Sequence, residues 1–320
     1  MHQSKRVFLL MGAMVQGVMS PLVDAPPIGS AHVLYNQSGD PLASDSSSEP
    51  DRGVSRSLAA EVATELVSRS SSGEIGNGDS GYVRVDVVPG NYIAERVGIS
   101  GDGRYVVFSS DATNLVPGDD ESQTDVFLRD RISGTTLRVS ENTLGVGTEA
   151  GGALISANGR FIALRATRDV LVPGSWNSWP QVYVFDTATR QHHLLTQDAQ
   201  GQPLRGGATA QAISSDGRFV AVNINLYYTP ELVCFDRVRN TRKTIAPFRA
   251  DYVAFSGDGR YLSYTGPTSG SPSRSDVYVV EMETGNTELV SSSPEGEPAN
   301  GVTYGGALSA DGRFVVFVSY

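Results

Sequence analysis

Five hard oxygen donors, Asp111, Asn114, Asp119, Asp120 and Asp125, fall within fifteen residues. Carboxylate and amide oxygens are what a calcium ion selects, so this stretch is a candidate calcium loop. It has no twelve-residue frame with a closing Glu, and the matching stretch of the next repeat carries Ser175, Trp176 and Gln181. The competing reading is therefore a solvated loop whose Asp and Asn side chains cap turns. Trp176 and Trp179, in SWNSWP, are the ligand-surface candidates: two aromatics on a connection can stack on a sugar or a peptide, or cover the edge of a sheet. No cofactor other than calcium is expected.

Nucleophilic chemistry has one apparent foothold. Gly78-Asp79-Ser80-Gly81 reproduces the tetrapeptide around the nucleophile of trypsin-like serine proteases, but a triad needs a His and an acid converging on the serine. His32 lies in a stretch of linker composition, and His192 and His193 adjoin in an outer strand, where neighbours point to opposite faces. The GDSG segment also aligns with the inter-repeat turn at Gly301 to Gly305. Cys234, the only cysteine, excludes an internal disulfide and a cysteine-based zinc site, and inside Leu232 to Phe235 it reads as a small core residue. No catalytic residue is assigned.

The elements that must hold these residues are short strands. In 320 residues, 39% are apolar and 19% charged, with 35 Gly and 13 Tyr, a composition that favours strands and tight turns over long helices. The net charge of −10 and the scattered Arg residues leave no basic stripe for a phosphate backbone, so nucleic acid is not an expected partner. Lys5 and Arg6 precede an apolar run from Val7 to Met19, too short to span a bilayer and followed by small residues and prolines, which is the order of a secretory signal over residues 1–31. Residues 32–57, rich in Ser, Asp, Pro and Gly, read as a disordered linker, and 58–320 as the folded domain.

One hexapeptide organises that domain. Ser-x-Asp/Asn-Gly-Arg-aromatic occurs five times, at Ser100, Ser156, Ser214, Ser256 and Ser309, with its arginines 56, 58, 42 and 53 residues apart. Asp-Gly or Asn-Gly between apolar runs predicts a two-residue hairpin turn with φ > 0 at both positions. A third strand recurs as DVFLRD, QVYVFD, ELVCFD and DVYVVE, each ending in an acid. Turns at Gly134, Asn240 and Gly285 then lead into a fourth strand. The five Arg residues, one per turn, read as turn stabilisers. Four-stranded antiparallel units of this period are the blades of an all-β propeller, about five of them.

The hexapeptide followed by an apolar strand, together with ATNLVPGDDESQTDVFLRD from Ala112 to Asp130, resembles the TolB-like (WD-repeat-like) propeller-repeat family. The resemblance covers about Thr64 to Tyr320, with no α/β domain before the repeats. It implies a periplasmic or secreted, non-catalytic binding and scaffolding module with a protein or glycan partner at its loops. The alternative is an enzyme: the repeat is also similar to propellers that guard a hydrolase in the prolyl-oligopeptidase arrangement, but no nucleophile-elbow motif is present, so this needs a catalytic domain absent from the chain. Thr64 to Ser68 reads like a fourth strand without a hairpin of its own, while Gly305 to Tyr320 has a hairpin without third and fourth strands. The last blade is thus incomplete or closed by the N-terminal strand, with Gly53 to Ala59 a poor third strand. A monomer is expected unless that edge is open.

Overall fold

The structure, a computed structural model, describes residues 8–10 and 64–320, apart from Tyr82 and residues 86–91, 95–96, 120–122, 143–144, 146, 167–170, 173–178, 227–228 and 269–270. Most of the expected leader, the linker and Gly53 to Ala59 lie outside the described residues. Those described are all-β. The first sheet comprises Gly98–Ile99, Tyr105–Ser110, Asp125–Asp130 and Thr135–Arg138; the second Ala150–Ile155, Phe161–Ala166, Gln181–Asp186 and Gln191–Leu194. Gly207–Ile213, Phe219–Leu226, Thr229–Asp236 and Thr241–Ala246 form the third, and Asp251–Phe255, Tyr261–Thr268, Ser271–Glu281 and Thr287–Leu289 the fourth. Thr303–Leu308 and Val315–Ser319 make the hairpin of a fifth, with Phe8–Leu10 pairing in parallel along Val315–Ser319. The fold is a β-propeller of four-stranded antiparallel blades, about five in number.

Each apolar core is shared by consecutive blades. Val107, Val126 and Leu128 of the first pack with Ile162, Leu164 and Tyr183 of the second, and Val182 and Val184 of the second with Val220, Val222 and Ile224 of the third. Ala221 and Leu232 of the third pack with Leu262 and Tyr264 of the fourth, and Val277 and Val279 of the fourth with Val315 and Phe317 of the fifth. This explains why the second and third strands read as continuous apolar runs: both their faces are covered.

The hexapeptide is a four-residue loop, not the expected two-residue turn. Ser100 pairs with Tyr105 around it, Gly103 N–H donates to Ser100 O (2.9 Å), and only the glycine has positive φ, at 68° to 72° in all five copies. The serine and acid make up the difference. Ser100 Oγ donates to Asp102 Oδ1 (2.5 Å) and accepts Tyr105 N–H (2.9 Å), while Asp102 Oδ1 also accepts Arg104 N–H (3.0 Å), and the other four copies repeat this set. Such local side-chain bonds satisfy the backbone groups a longer loop exposes.

The loops also touch one another. Gly101 N–H donates to Ala157 O (2.8 Å), Asn158 N–H to Ser215 O (3.1 Å) and Asp258 N–H to Ala310 O (2.9 Å). A Cβ on Gly217 would stand 2.2 Å from the Phe161 ring, one on Gly312 2.2 Å from Tyr261 and one on Gly159 2.7 Å from Tyr105, so at these three junctions the motif aromatic of one blade lies against the motif glycine of the next. The arginine closes the unit: its side chain forks onto the acid ending the third strand in Arg104–Asp130 (3.1 and 2.7 Å), Arg160–Asp186 (3.2 and 3.0 Å) and Arg218–Asp236 (3.0 and 2.6 Å). In every copy the guanidinium also lies over the adjoining aromatic ring, 4.5 to 5.5 Å from its centroid.

The turn between third and fourth strands carries a left-handed residue in each blade: Gly134 at φ 68°, Asn240 at 51°, Gly285 at 78° and, in the blade lacking Gly or Asn, Arg190 at 57°. Arg190→Gly should raise unfolding stability by about 1 kcal/mol, because that conformation costs an L-residue roughly 1–2 kcal/mol. Gly217→Ala should lower it by about 2 kcal/mol or more, combining the same cost with overlap on Phe161. Chemical denaturation reads both, and a neutral Gly217→Ala would show that the contact between loops carries no load.

Candidate binding surface

The described donors of the acidic loop do not meet at one point. Asp111 Oδ1 accepts the Thr124 hydroxyl (2.6 Å). Asn114 ties down the preceding connection, accepting Asn77 N–H (2.9 Å) and donating to Ile75 O (2.9 Å). Asp119 and Asp125 are both buried and share one cation, Arg138, whose Nη1 lies 3.2 Å from Asp119 and 3.8 Å from Asp125. The guanidinium stands between these two carboxylates. Asp120 lies outside the described residues, among which no group of three or more His, Cys, Asp or Glu side chains is arranged to hold a metal ion. Arg138 carried a visible signal: the matching positions of the second and fourth blades, paired to Tyr183 and Tyr278 as Arg138 is to Phe127, are Leu194 and Leu289.

Asp125 holds a position built into several blades. It accepts the Ser140 hydroxyl, Asp276 accepts that of Ser291 (2.8 Å), and the amide of Gln181 accepts that of Thr196 (2.6 Å). Burial pushes the Asp125 carboxyl up to about 6, against the pull of Ser140 and Arg138. Asp130 and Asp236 are held below the usual carboxylate range, first by the side chains of Arg104 and Arg218.

Ser80, of the GDSG segment, pairs with Ser110 across the first blade, Oγ to Oγ at 2.8 Å, and Ser110 Oγ donates to Asp79 O (3.0 Å). His192 is half-buried on the Phe185 ring with Nε2 2.7 Å from Val139 O, and His193 is exposed. Neither adjoins Ser80 in any pairing described. Cys234 is buried, which pushes its thiol up to about 12. Trp179 is 48% exposed two residues before the third strand of the second blade, and Trp176 lies outside the described residues. A groove of about 650 Å³ opens between the outer strands of the second and third blades, beside His193, Asp198, Arg237 and Arg242. Of these, Arg237 is committed to the Phe161 ring (4.0 Å) and to Gly217 O (2.7 Å).

Exposed apolar side chains lie on the first blade, at Val97 and Ile99, and on the fifth. Counting from the motif arginine, the third strand residue is Val107, Ala163, Ala221 and Ser263 in the first four blades, each 0% exposed, whereas Val316 is 53% exposed. Two residues on, Ser109, Arg165, Asn223 and Thr265 are all buried, whereas Val318 is 43% exposed. In four blades these side chains lie beneath the next blade; in the fifth they face outward. Tyr304, the cross-strand partner of Val318, belongs to the same face, with Tyr320 at 6.1 Å and Tyr252 of the fourth blade at 6.3 Å, ring centroid to centroid. Tyr252 adopts φ 48° at the bulge of its innermost strand, where the second and fifth blades place Gly152 and Gly305. A half-exposed tyrosine recovers little of that conformational cost by burial.

Thr64 to Ser68 forms no strand among the described residues. Val67 instead packs on the open side of the first blade with Val116, over Val106, Phe108, Leu115 and Phe127, and Arg129 donates to Ser70 O (3.1 Å).

No family model and no curated protein matches the chain. Among solved structures, a TolB candidate from Agrobacterium tumefaciens is 16% identical over 71% of this chain and 69% of its own, with a TM-score of 0.48. TolB from Acinetobacter baumannii is 18% identical over 70% of this chain, which spans about half (53%) of it, with a TM-score of 0.43. The β-propeller domain of the trilobed protease from Pyrococcus furiosus is 10% identical over 68% of this chain and 63% of its own, also at 0.43.

Tyr252→Gly should stabilise the fold by about 1 kcal/mol, the strain being local and the side chain half-exposed; a loss of stability would mean that the ring contact with Tyr304 outweighs the strain. Native Asp125 holds its proton more tightly than the unfolded carboxyl, so it makes the fold less stable as pH rises from about 4 to about 6. Asp130 and Asp236 act oppositely, their contribution being present above about pH 4 and lost as pH falls below it. Asp125→Asn should therefore flatten the decline of the thermal midpoint between pH 4 and 6 while leaving acid unfolding in place, and an unchanged slope there would assign the decline to other groups.

Proposed function

We propose that the chain is a non-catalytic binding and scaffolding propeller that engages a protein partner through the outward face of its fifth blade. The observation that carries the reading is the contrast at one repeat position, where 0% exposure in four blades becomes 53% at Val316. The covering surface over Val107, Ala163 and Ala221 is an apolar sheet face, so the matching ligand is a protein surface of the same kind. The acids and histidines support a binding rather than a catalytic role: the acids form forked pairs with arginine or accept strand hydroxyls, and His192 is bonded to a carbonyl. The reading places this binding in the cell envelope or outside the cell, on the strength of Lys5, Arg6 and the apolar run to Met19.

A photoreactive phenylalanine analogue at Val318, irradiated in cells producing the full chain, should give a discrete cross-linked species that the same group at Ile132, exposed on a turn, does not. The trapped protein, purified and titrated against the chain, should bind at least tenfold more weakly to Val316→Asp. If Val318 traps nothing that Ile132 does not, this reading is wrong.

A further inference from the structure

We propose that the groove between the outer strands of the second and third blades is a small-molecule site, separate from the fifth-blade face, for a ligand that joins a planar ring to a carboxylate. The preceding junction, between the first and second blades, shows what such a groove holds when the chain fills it from within. There His192, the cross-strand partner of Phe185, lays its ring on that of Phe185, 4.9 Å between centroids. Its Nε2 crosses to the first blade, 2.7 Å from Val139 O. Leu137 packs beside it, and the space left over is about 340 Å³.

The next junction keeps the frame and changes the filling. Phe235 stands where Phe185 does, and Leu195 where Val139 does, each bonding through N–H to the third strand of its own blade. Arg242 takes the position of His192, and His193 that of Leu137. Arg242 is exposed, makes no bond across to Leu195 O, and leaves Phe235 with no stacked ring among the described residues. The groove accordingly grows to about 650 Å³, inside the roughly 300–1,000 Å³ range of small-molecule sites. A planar ring set on Phe235 occupies the place that the His192 imidazole occupies on Phe185, with Val184 and Leu194 completing an apolar floor.

Charge defines the other end of the ligand. Two acids line the groove and both are engaged by the chain: Asp198 Oδ1 accepts the N–H groups of Gln200 and Gln202 (2.9 Å each), and Asp236 is forked by Arg218. Of the bases, Arg237 is spent on Phe161 and Gly217 O, whereas Arg242 and the His193 ring make no hydrogen bond or ion pair among the described residues. An uncommitted guanidinium, in a groove whose acids already have partners, selects a planar oxyanion that it grips with two parallel N–H bonds. His193 supplies a further ring donor on the facing strand.

Phenylacetate, which has the ring and the carboxylate and little else, is the probe. Titrated into the purified full chain at low ionic strength, it should give a saturable NMR shift of the His193 ring proton, assigned by its loss in His193→Gln. The expected dissociation constant is about 1 mM, as a ligand of this size allows. Arg242→Gln should weaken binding about tenfold or more, and Arg242→Lys, which keeps the charge without the fork, about threefold. Lys243→Gln should leave binding unchanged, because Lys243 reaches the fourth blade at Gly285. Circular dichroism should be unaltered throughout, since Arg242 and His193 are exposed. Phenylacetamide, with the ring and no charge, and inorganic phosphate, with the charge and no ring, should each bind about tenfold more weakly or worse. No saturable shift by about 20 mM phenylacetate, or binding that survives Arg242→Gln, overturns the proposal. Phenylacetamide or phosphate binding as tightly as phenylacetate overturns it equally, by removing the carboxylate or the ring from what the groove selects.

Discussion

The load in this propeller passes through the glycine of the hexapeptide loop. Within that loop only the glycine has positive φ, and at Gly159, Gly217 and Gly312 there is no Cβ to hold the motif aromatic of the preceding blade away. One residue therefore sets the shape of a hairpin and the spacing between two blades. The serine, acid and arginine around it are auxiliaries: serine and acid satisfy the loop backbone, and the arginine fixes the acid at the end of the third strand while lying over the ring. A repeat unit that binds itself together and binds its neighbour through the same six residues leaves the rest of each blade available to vary, and the unequal spacing of the motifs is where that variation appears.

Most variation is at the opposite ends of the strands. The first blade replaces the middle of its innermost strand with an insertion, Ser80 pairing to Ser110 and Gly98 to Val107 with the hairpin of Val83–Val85 and Tyr92–Ala94 between. It also buries a carboxylate pair on Arg138 where the second and fourth blades place leucine. Buried charges of this kind add little to stability relative to an apolar core, but removing one partner is costly. Their consequence is to make the first blade chemically unlike its neighbours.

Much of the architecture was legible in the sequence because it is periodic. Hairpins, third strands ending in an acid and fourth strands after Gly134, Asn240 and Gly285 all stand where the motifs place them. The loop type was misread because Asp-Gly alone implies a two-residue turn, and the serine that lengthens it acts through its side chain. The pairing of Asp119 and Asp125 with Arg138 was not legible, because Arg138 lies across the sheet and spacing along one segment does not reveal a partner on another. The outward face was foreshadowed only as an unpaired edge: strand patterns tell which side chains share a face, whereas covering that face depends on the next blade.

Loop-to-loop contact gives the array a particular mechanical character. Among the described residues each blade shares its apolar core with its immediate neighbours, so its stability is approximately a sum of local terms and interfaces, and disorder enters where a unit has a neighbour on one side only. The fifth blade, packed against the fourth through Val315 and Phe317 while Val316 and Val318 look outward, is such a unit. It is the segment where amide protons should exchange earliest and where a protease would gain its first foothold, and whatever covers it would act on the whole domain as a stopper acts on a zipper.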